Sequence, residues 1–400
     1  MKKRGVKKTV LYTLISLLAV LILVLSVLFL ASGVFQPKKY LEPWDKNYAQ
    51  KFEDPRIRLS AYGLLAANGH NMQPWKIRLD QNNPMVFYLF ADSSRMTPQV
   101  DPDSRQMMVT QGTFLDYVEV AGQEIGYQPD IAFFPDGLYD EKHLAESMNV
   151  KPVAKITLRK TVPRHTPLFN ALYLPDTNRA PYKPEKLTGQ QLSLLHQNLP
   201  EDQNLSVKVY QDKENISRLG KLAMEGAVIE SGVSRVMAES GAIFRSNEYQ
   251  KNKYRYGFSV EGQGMSGIMA QLTQGLVTLF PSMNSGKSAS DLFIKSTQDS
   301  VNGTPAYAMI LTKDNSRVNQ VKSGMLYSRL TLTAHQLGLV CQPLSQVLEE
   351  YPEMSQAYKR IHEQYAPDGG TIQMLVRIGR PTQSVPVTMR RDVMDLIVKK

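Results

Sequence analysis

The stretch GHNMQPW, residues 69–75, gathers two amides, a histidine, a proline and a tryptophan. Asn and Gln each carry a donor pair and an acceptor, and Pro74 stiffens the chain ahead of Trp75. Such a loop presents amides to something planar and polar, or is a tight turn into a strand. Two further stretches carry phosphate-like chemistry. In PDTNRAPY, Thr177 and Arg179 offer a hydroxyl and a guanidinium at i, i+2. In PVTMRRDVMDLI, Arg390 and Arg391 are a surface pair or a grip on phosphate, which the planar fork of Arg suits.

Other motifs fail on context. Gly262, Gly264 and Gly267 match G-x-G-x-x-G, but KYRYGFSVE before them is not the buried strand that a dinucleotide fingerprint needs. Gly286-Lys287-Ser288 resembles the end of a phosphate loop. Pro281 stands where that loop requires glycine, and it removes an N–H that would cradle phosphate. The six histidines, at 70, 143, 165, 196, 335 and 362, show no metal-ligand spacing. The one cysteine, Cys341, excludes an internal disulfide and follows apolar LGLV, as a buried structural thiol would.

These residues need elements to hold them. With 42% apolar and 21% charged residues in 400, the chain has ample core for two or three domains. The net charge of +10 is not a nucleic-acid signal, because Lys2, Lys3, Arg4, Lys7 and Lys8 crowd the first eight residues and no basic stripe interleaves with aromatics. Residues 9–35 contain no charge, and a bilayer core takes about 20 apolar residues as a helix. A cleaved export signal is the alternative, but its apolar core runs about 7–15 residues. An uncleaved anchor is therefore expected, with residues 1–8 in the cytoplasm and the remainder extracytoplasmic by the positive-inside bias.

Residues 36–55 read as a linker or capping turn. A helix is expected over PRIRLSAYGLLAANG, a hairpin over WKIRL and MVFYLF, and a long amphipathic helix capped by Asp103 or Ser104. IAFFPDG and VAKITLR read as strands. The pattern then restarts: LSVKVY as a strand, 213–239 as a helix, 245–290 as irregular, AYAMIL as a strand, 317–339 as a helix and TIQMLVRIG as a last strand. The class is α+β without strict βαβ alternation, with two related halves as a hypothesis.

Taken together, AANGHNMQPWKIRL, ADSSRMTPQVDPDSRQMMVTQGTFLDYVEVAG, DTNRAPY, GTPAYAMILTKDN, SGMLYSRLTLTAHQLGLVCQPL and RIGRP with the late RR resemble the nitroreductase superfamily of FMN proteins. Within it the chain resembles the Acg-like branch, whose single chain mimics the usual dimer. The resemblance runs from about residue 55 onward. It implies a nitroreductase-like pseudo-dimer, with a first half at 56–165 and a second at 166–400 that carries a lid-like segment at 245–290. It implies one FMN between the halves. Asn68, Gly69 and Asn71 would face the ring or ribityl chain, and Gln73, Pro74 and Trp75 would shape the loop. Thr177, Arg179, Arg390 and Arg391 would take the phosphate. Leu344, Ser345 and Gln346, in the turn QPLSQ, would lie near flavin N5. Many relatives carry arginines where this chain has Pro175 and Asp176, and an acid there opposes phosphate.

The resemblance implies an FMN-dependent oxidoreductase that passes a hydride or electrons through N5, with NAD(P)H or a membrane-borne donor as partner. Two other readings stay open: a flavin-holding protein with a closed lid, and an FMN-free binding domain on an inherited scaffold.

Overall fold

The uncharged run is the core of one helix, α1 (Lys2–Ser32), which is long and apolar enough to cross a membrane between Lys8 and Ser32. The structure, a computed structural model, describes residues 2–398, with side chains from residue 8 onward. The side chains of Lys2, Lys3, Arg4 and Lys7 in the basic cluster therefore lie outside the described residues. The stretch after α1 is packed, not loose. Tyr40, Tyr48 and Ala49 are buried, and the Trp44 indole donates to the Thr388 carbonyl at 2.8 Å.

Asp54 caps α2 (Pro55–Gly63), its carboxylate accepting the Arg56 N–H. The expected hairpin follows as β1 (Trp75–Leu79) and β2 (Val86–Ala91), antiparallel with Trp75 opposite Ala91. In the turn between them the Asp80 carboxylate accepts the N–H groups of Asn82 and Asn83. Next come α3 (Arg105–Ile125), β3 (Tyr127–Phe133), α4 (Leu144–Val150) and β4 (Ala154–Lys160). Ser104 precedes α3 with φ of +53° and no side-chain cap. The capping falls instead to Asp101, whose carboxylate accepts from Gln106 N and Met107 N.

In the second half, α5 (Pro167–Ala171) and α6 (Gly189–Gln197) lead to β5 (Leu205–Tyr210). Then come α7 (Lys213–Gly232), α8 (Ser234–Ala242), β6 (Phe244–Arg245), α9 (Glu248–Tyr254), β7 (Phe258–Ser259), α10 (Gly267–Leu279) and α11 (Gly286–Asn302). The chain continues through β8 (Ala306–Thr312), α12 (Arg317–Gln336), β9 (Val340–Pro343), α13 (Ser355–Tyr365) and β10 (Thr371–Gly379). Two sequence expectations need correction. The helix expected over 213–239 breaks at Val233, whose φ and ψ are −95° and 98°. The stretch 245–290 is mostly helical, not irregular, because it contains α9, α10 and the start of α11.

The halves repeat one topology. The first sheet has the order β1-β2-β4-β3 and the second β5-β8-β10-β9. In chain order both read first, second, fourth, third, and every neighbouring pair is antiparallel. In each, a long helix joins the second strand to the third and a shorter one joins the third to the fourth. The halves differ in the first connection, a turn at 80–85 in one and all of 211–305 in the other.

The two long helices, α3 and α12, pack against each other through reciprocal glycines. A Cβ added at Gly112 would lie 1.7 Å from the Val321 carbonyl oxygen, and one at Gly324 would lie 1.8 Å from the Val109 carbonyl oxygen. The first residues of the helices cross over in the same reciprocal way. Arg105 pairs with Glu350 at 3.1 Å and donates to Leu348 O at 2.7 Å. Arg317 donates to Glu141 Oε1 at 3.0 Å and to Asp103 O at 2.7 Å. Beyond β10 the chain returns to the first half, where Ile77 N donates to Leu396 O at 2.7 Å and Val398 N to Ile77 O at 2.8 Å.

Backbone in contact across this crossing leaves no room for a methyl group, so Gly112→Ala and Gly324→Ala should each destabilise the protein by about 3 kcal/mol, the upper range for overpacking a closed core. Denaturant titration of the full chain in detergent tests this; an unchanged midpoint for both variants would refute the crossing.

Candidate functional site

The loop between α2 and β1 is strained. His70, Asn71 and Gln73 take φ values of 54°, 53° and 50°, in the left-handed region that L side chains rarely enter. Such a conformation persists only where its surroundings over-determine it, and the amides do this here. The Asn68 side-chain oxygen accepts Gln73 N at 2.8 Å. Gln73 Nε2 donates to Arg255 O at 2.9 Å, and its Oε1 accepts Arg391 N at 2.7 Å. Asn71 Nδ2 donates to Gly257 O and Met389 O, each at 3.2 Å. Trp75 is fully buried and donates to Thr110 O at 3.1 Å.

Arg390 and Arg391 complete this clamp. Arg390 donates to Asn71 Oδ1 at 3.0 Å and to Leu65 O at 2.8 Å, with its guanidinium 4.7 Å from the centre of the Trp44 ring. Arg391 donates to Gln73 O and Asp395 O. Both are buried, and burial lowers the pKa of each, to about 10 for Arg391. Neither they nor Asn71 line the cavity described next. In the structure Asn71, Arg390 and Arg391 hold the loop and do not line the cavity.

That cavity, of about 1410 Å³, lies between the halves and exceeds the ~300–1,000 Å³ usual for a small-molecule site. Asn68, Gly69, Thr177, Arg179, Leu344, Ser345 and Gln346 all line it. The first half adds Thr110 and Thr113 from α3, and the second adds Tyr327 from α12 and Arg377 from β10. Much of the remaining wall comes from the 211–305 insertion, including Phe258, Gln263 and Met265. Arg179 donates Nη1 to Gly262 O at 2.7 Å, and its other donors have no protein hydrogen bond among the described residues.

No known family profile matches the chain. A curated protein from Mycobacterium tuberculosis H37Rv, named "Putative NAD(P)H nitroreductase Rv3131", is 23% identical over 341 residues, covering 82% of this chain and 86% of the relative. Its counterpart in strain CDC 1551 matches to the same extent. Over most of its length the chain is thus similar to proteins named as putative nitroreductases. Among solved structures, a nitroreductase with bound FMN from Desulfitobacterium hafniense is 13% identical, with a TM-score of 0.36 over 59% of this chain and 100% of that one. The FMN-dependent nitroreductase NfnB of Mycobacterium smegmatis, in complex with NADPH, is 14% identical with a TM-score of 0.31, over 52% of this chain and 84% of that one.

The wall of this cavity contains groups that the motifs did not announce. His70 lines it and meets Phe258 edge to face at 5.3 Å. Desolvation, then the Arg179 charge, lowers its pKa to about 4, so the imidazole is neutral at pH 7. Glu230 and Glu349 also line the cavity, both buried, and each has one oxygen without a protein partner. Burial raises the Glu230 pKa to about 8, and burial together with Glu230 raises that of Glu349 well above the carboxylate range. Neutral carboxyls can donate hydrogen bonds to a ligand, which carboxylates cannot. Arg377 is buried in an apolar strand and donates to Gln342 Oε1 at 2.7 Å and to Ala180 O at 2.9 Å. A charge inside VRIG was the available sequence signal for it. Cys341 is buried, and its pKa rises to about 12 with desolvation, as a structural thiol requires.

Desolvation holds the His70 pKa in the folded chain at about 4, below the ordinary 6.5. Between those values the unfolded chain binds more protons, so stability falls as pH drops. Lowering the pH from 7 to 5 should cost the wild type about 2 kcal/mol more than His70→Gln. Parallel pH-dependent unfolding of the two proteins measures this; identical slopes would show that the cavity does not desolvate His70.

Proposed function

We propose that the cavity binds FMN and that the protein is an FMN-dependent oxidoreductase of nitroreductase type, with the single-chain arrangement of the Acg-like branch. The observation that carries this reading is the convergence of Asn68, Gly69, Thr177, Arg179 and the 344–346 turn on one cavity between the halves. The residues present fit the group. The cavity is large enough, it has a half-free guanidinium at Arg179, and its wall offers buried polar atoms without protein partners at Tyr327, Gln346, Glu230 and Glu349.

In this reading Thr177 and Arg179 hold the phosphate, Asn68 and Gly69 bound the ribityl side, and Leu344, Ser345 and Gln346 border the ring. Asn71, Arg390 and Arg391 position the loop that carries Asn68 and Gly69. FMN, when bound, supplies two-electron chemistry, and the chain supplies binding, orientation and exclusion of water. The names of the relatives support NAD(P)H as donor, and α1 makes a membrane-borne donor the alternative. We place the folded part outside the cytoplasm, by the charge bias around α1.

A flavin-holding protein with a closed lid is the second reading. It is favoured by the tie between Arg179 and Gly262, which joins the phosphate element to the insertion, and by the buried Lys251, which pairs with Glu248 at 2.8 Å and Glu261 at 2.6 Å.

Asp176 lines the same cavity, and its charge opposes a phosphate. Asp176→Asn should therefore tighten FMN by about tenfold, and Arg179→Ala should weaken it by a factor of about 10–100. Fluorescence titration of FMN against the full chain in detergent measures both. Unchanged affinity in both variants would remove the phosphate from this end of the cavity. NADPH-dependent bleaching of bound flavin separates the two readings: turnover supports the oxidoreductase, and tight flavin that NADPH never reduces supports the holding protein.

A further inference from the structure

The insertion at 211–305 is joined to α1. Ser32 Oγ donates to Gln271 Oε1 at 2.9 Å, and a Cβ added at Gly275 would lie 2.1 Å from the Leu28 carbonyl oxygen. Four residues forward along α10 thus match four residues back along α1, so the helices run antiparallel in close contact. A small residue at such a crossing is what packing between helices in lipid favours. Continuing the register puts Leu279 level with Val24, about 12 Å back along α1 from Ser32 at 1.5 Å per residue. Val24 lies well within the uncharged run that fits the ~30 Å hydrocarbon core.

The side chains of α10 are arranged for that depth. Residues 262–286 contain no charged side chain. Gln271 and Gln274 point inward, Gln271 to Glu248 and Gln274 to Glu261. The outward face is apolar: Ile268, Met269, Leu279, Phe280 and Met283 are exposed. Polar groups inside and apolar groups outside is the pattern of an element surrounded by lipid, where a polar group has no water to satisfy it. The same segment edges the cavity, at Val277, Thr278, Pro281, Asn284 and Ser285.

We propose that α10 and the turn after it, through Met283, dip into the bilayer beside α1, so that this face is covered by phospholipid and the edge of the cavity at 277–285 meets the lipid phase. The proposal rests on the reading of α1 as a membrane span. Its partner is the hydrocarbon of the leaflet nearer the folded part. Lys287 and Asp291, an exposed ion pair just beyond the turn, mark where the chain returns to water.

Spin labels test it in the full chain, reconstituted in phosphatidylcholine–phosphatidylglycerol vesicles. Single cysteines are introduced as Phe280→Cys and Met283→Cys, with Leu21→Cys in α1 and Lys359→Cys on exposed α13 as references. All are surface positions, and buried Cys341 stays unlabelled. Collision rates with oxygen and with a water-soluble nickel chelate give immersion depth. The expected result is that labels at 280 and 283 lose chelate collisions and gain oxygen collisions as the label at 21 does. If the label at 21 is shielded but those at 280 and 283 collide with chelate like the label at 359, the proposal is overturned and the membrane span stands. If the label at 21 also collides freely with chelate, the span fails and the proposal fails with it.

Discussion

The backbone-to-backbone crossing at Gly112 and Gly324 fixes how the two halves meet, and the cavity depends on that distance. α3 sends Thr110 and Thr113 into the cavity wall and α12 sends Tyr327. A wider separation of these helices would move the two walls apart. It would also pull Arg105 and Arg317 from Glu350 and Glu141, the partners they reach in the opposite half. Each half thus supplies a helix, a glycine and an arginine in equivalent places, and neither half closes its own interface.

The equivalence stops at the cavity. The turn at 80–85 in the first half corresponds to the whole of 211–305 in the second, and that insertion supplies the outer wall. The strained loop at 69–75 belongs only to the first half. Its strain is borne by hydrogen bonds donated by Arg390 and Arg391 and by those its amides donate to the carbonyls of Arg255, Gly257 and Met389. The cavity is thus walled by both halves, but not equally by each.

Much of this was legible in the sequence, for physical reasons that also mark where reading failed. β1 and β2 alternate and are joined by turn residues, so local chemistry defines them. β8 is apolar up to Thr312 and is buried at every position. The convergence of Asn68, Gly69, Thr177, Arg179 and the 344–346 turn followed from the resemblance to nitroreductases. That Asn71 bonds Arg390 and Gln73 bonds Arg391 was not legible, because each pair lies more than 300 residues apart in the chain. α10 was taken as irregular because its glutamines face buried carboxylates and its apolar side faces outward, the inverse of the helical pattern of a water-soluble surface. His70, Glu230 and Glu349 carry no local signature, since only the assembled cavity desolvates them.

The return of the last described residues to the first sheet has a consequence for the order in which the molecule can be made. Gln73 and Arg391 are 318 positions apart, and Ile77 completes its backbone hydrogen bonds with Leu396 and Val398. During synthesis the first sheet can form as soon as β4 has emerged, but the loop beside it then lacks the bonds to Met389, Arg390 and Arg391 that hold its left-handed conformation. Those bonds wait until residue 391 has left the ribosome. Every earlier, partly made chain carries the loop without these partners, so the wall of the cavity is completed only once both halves exist.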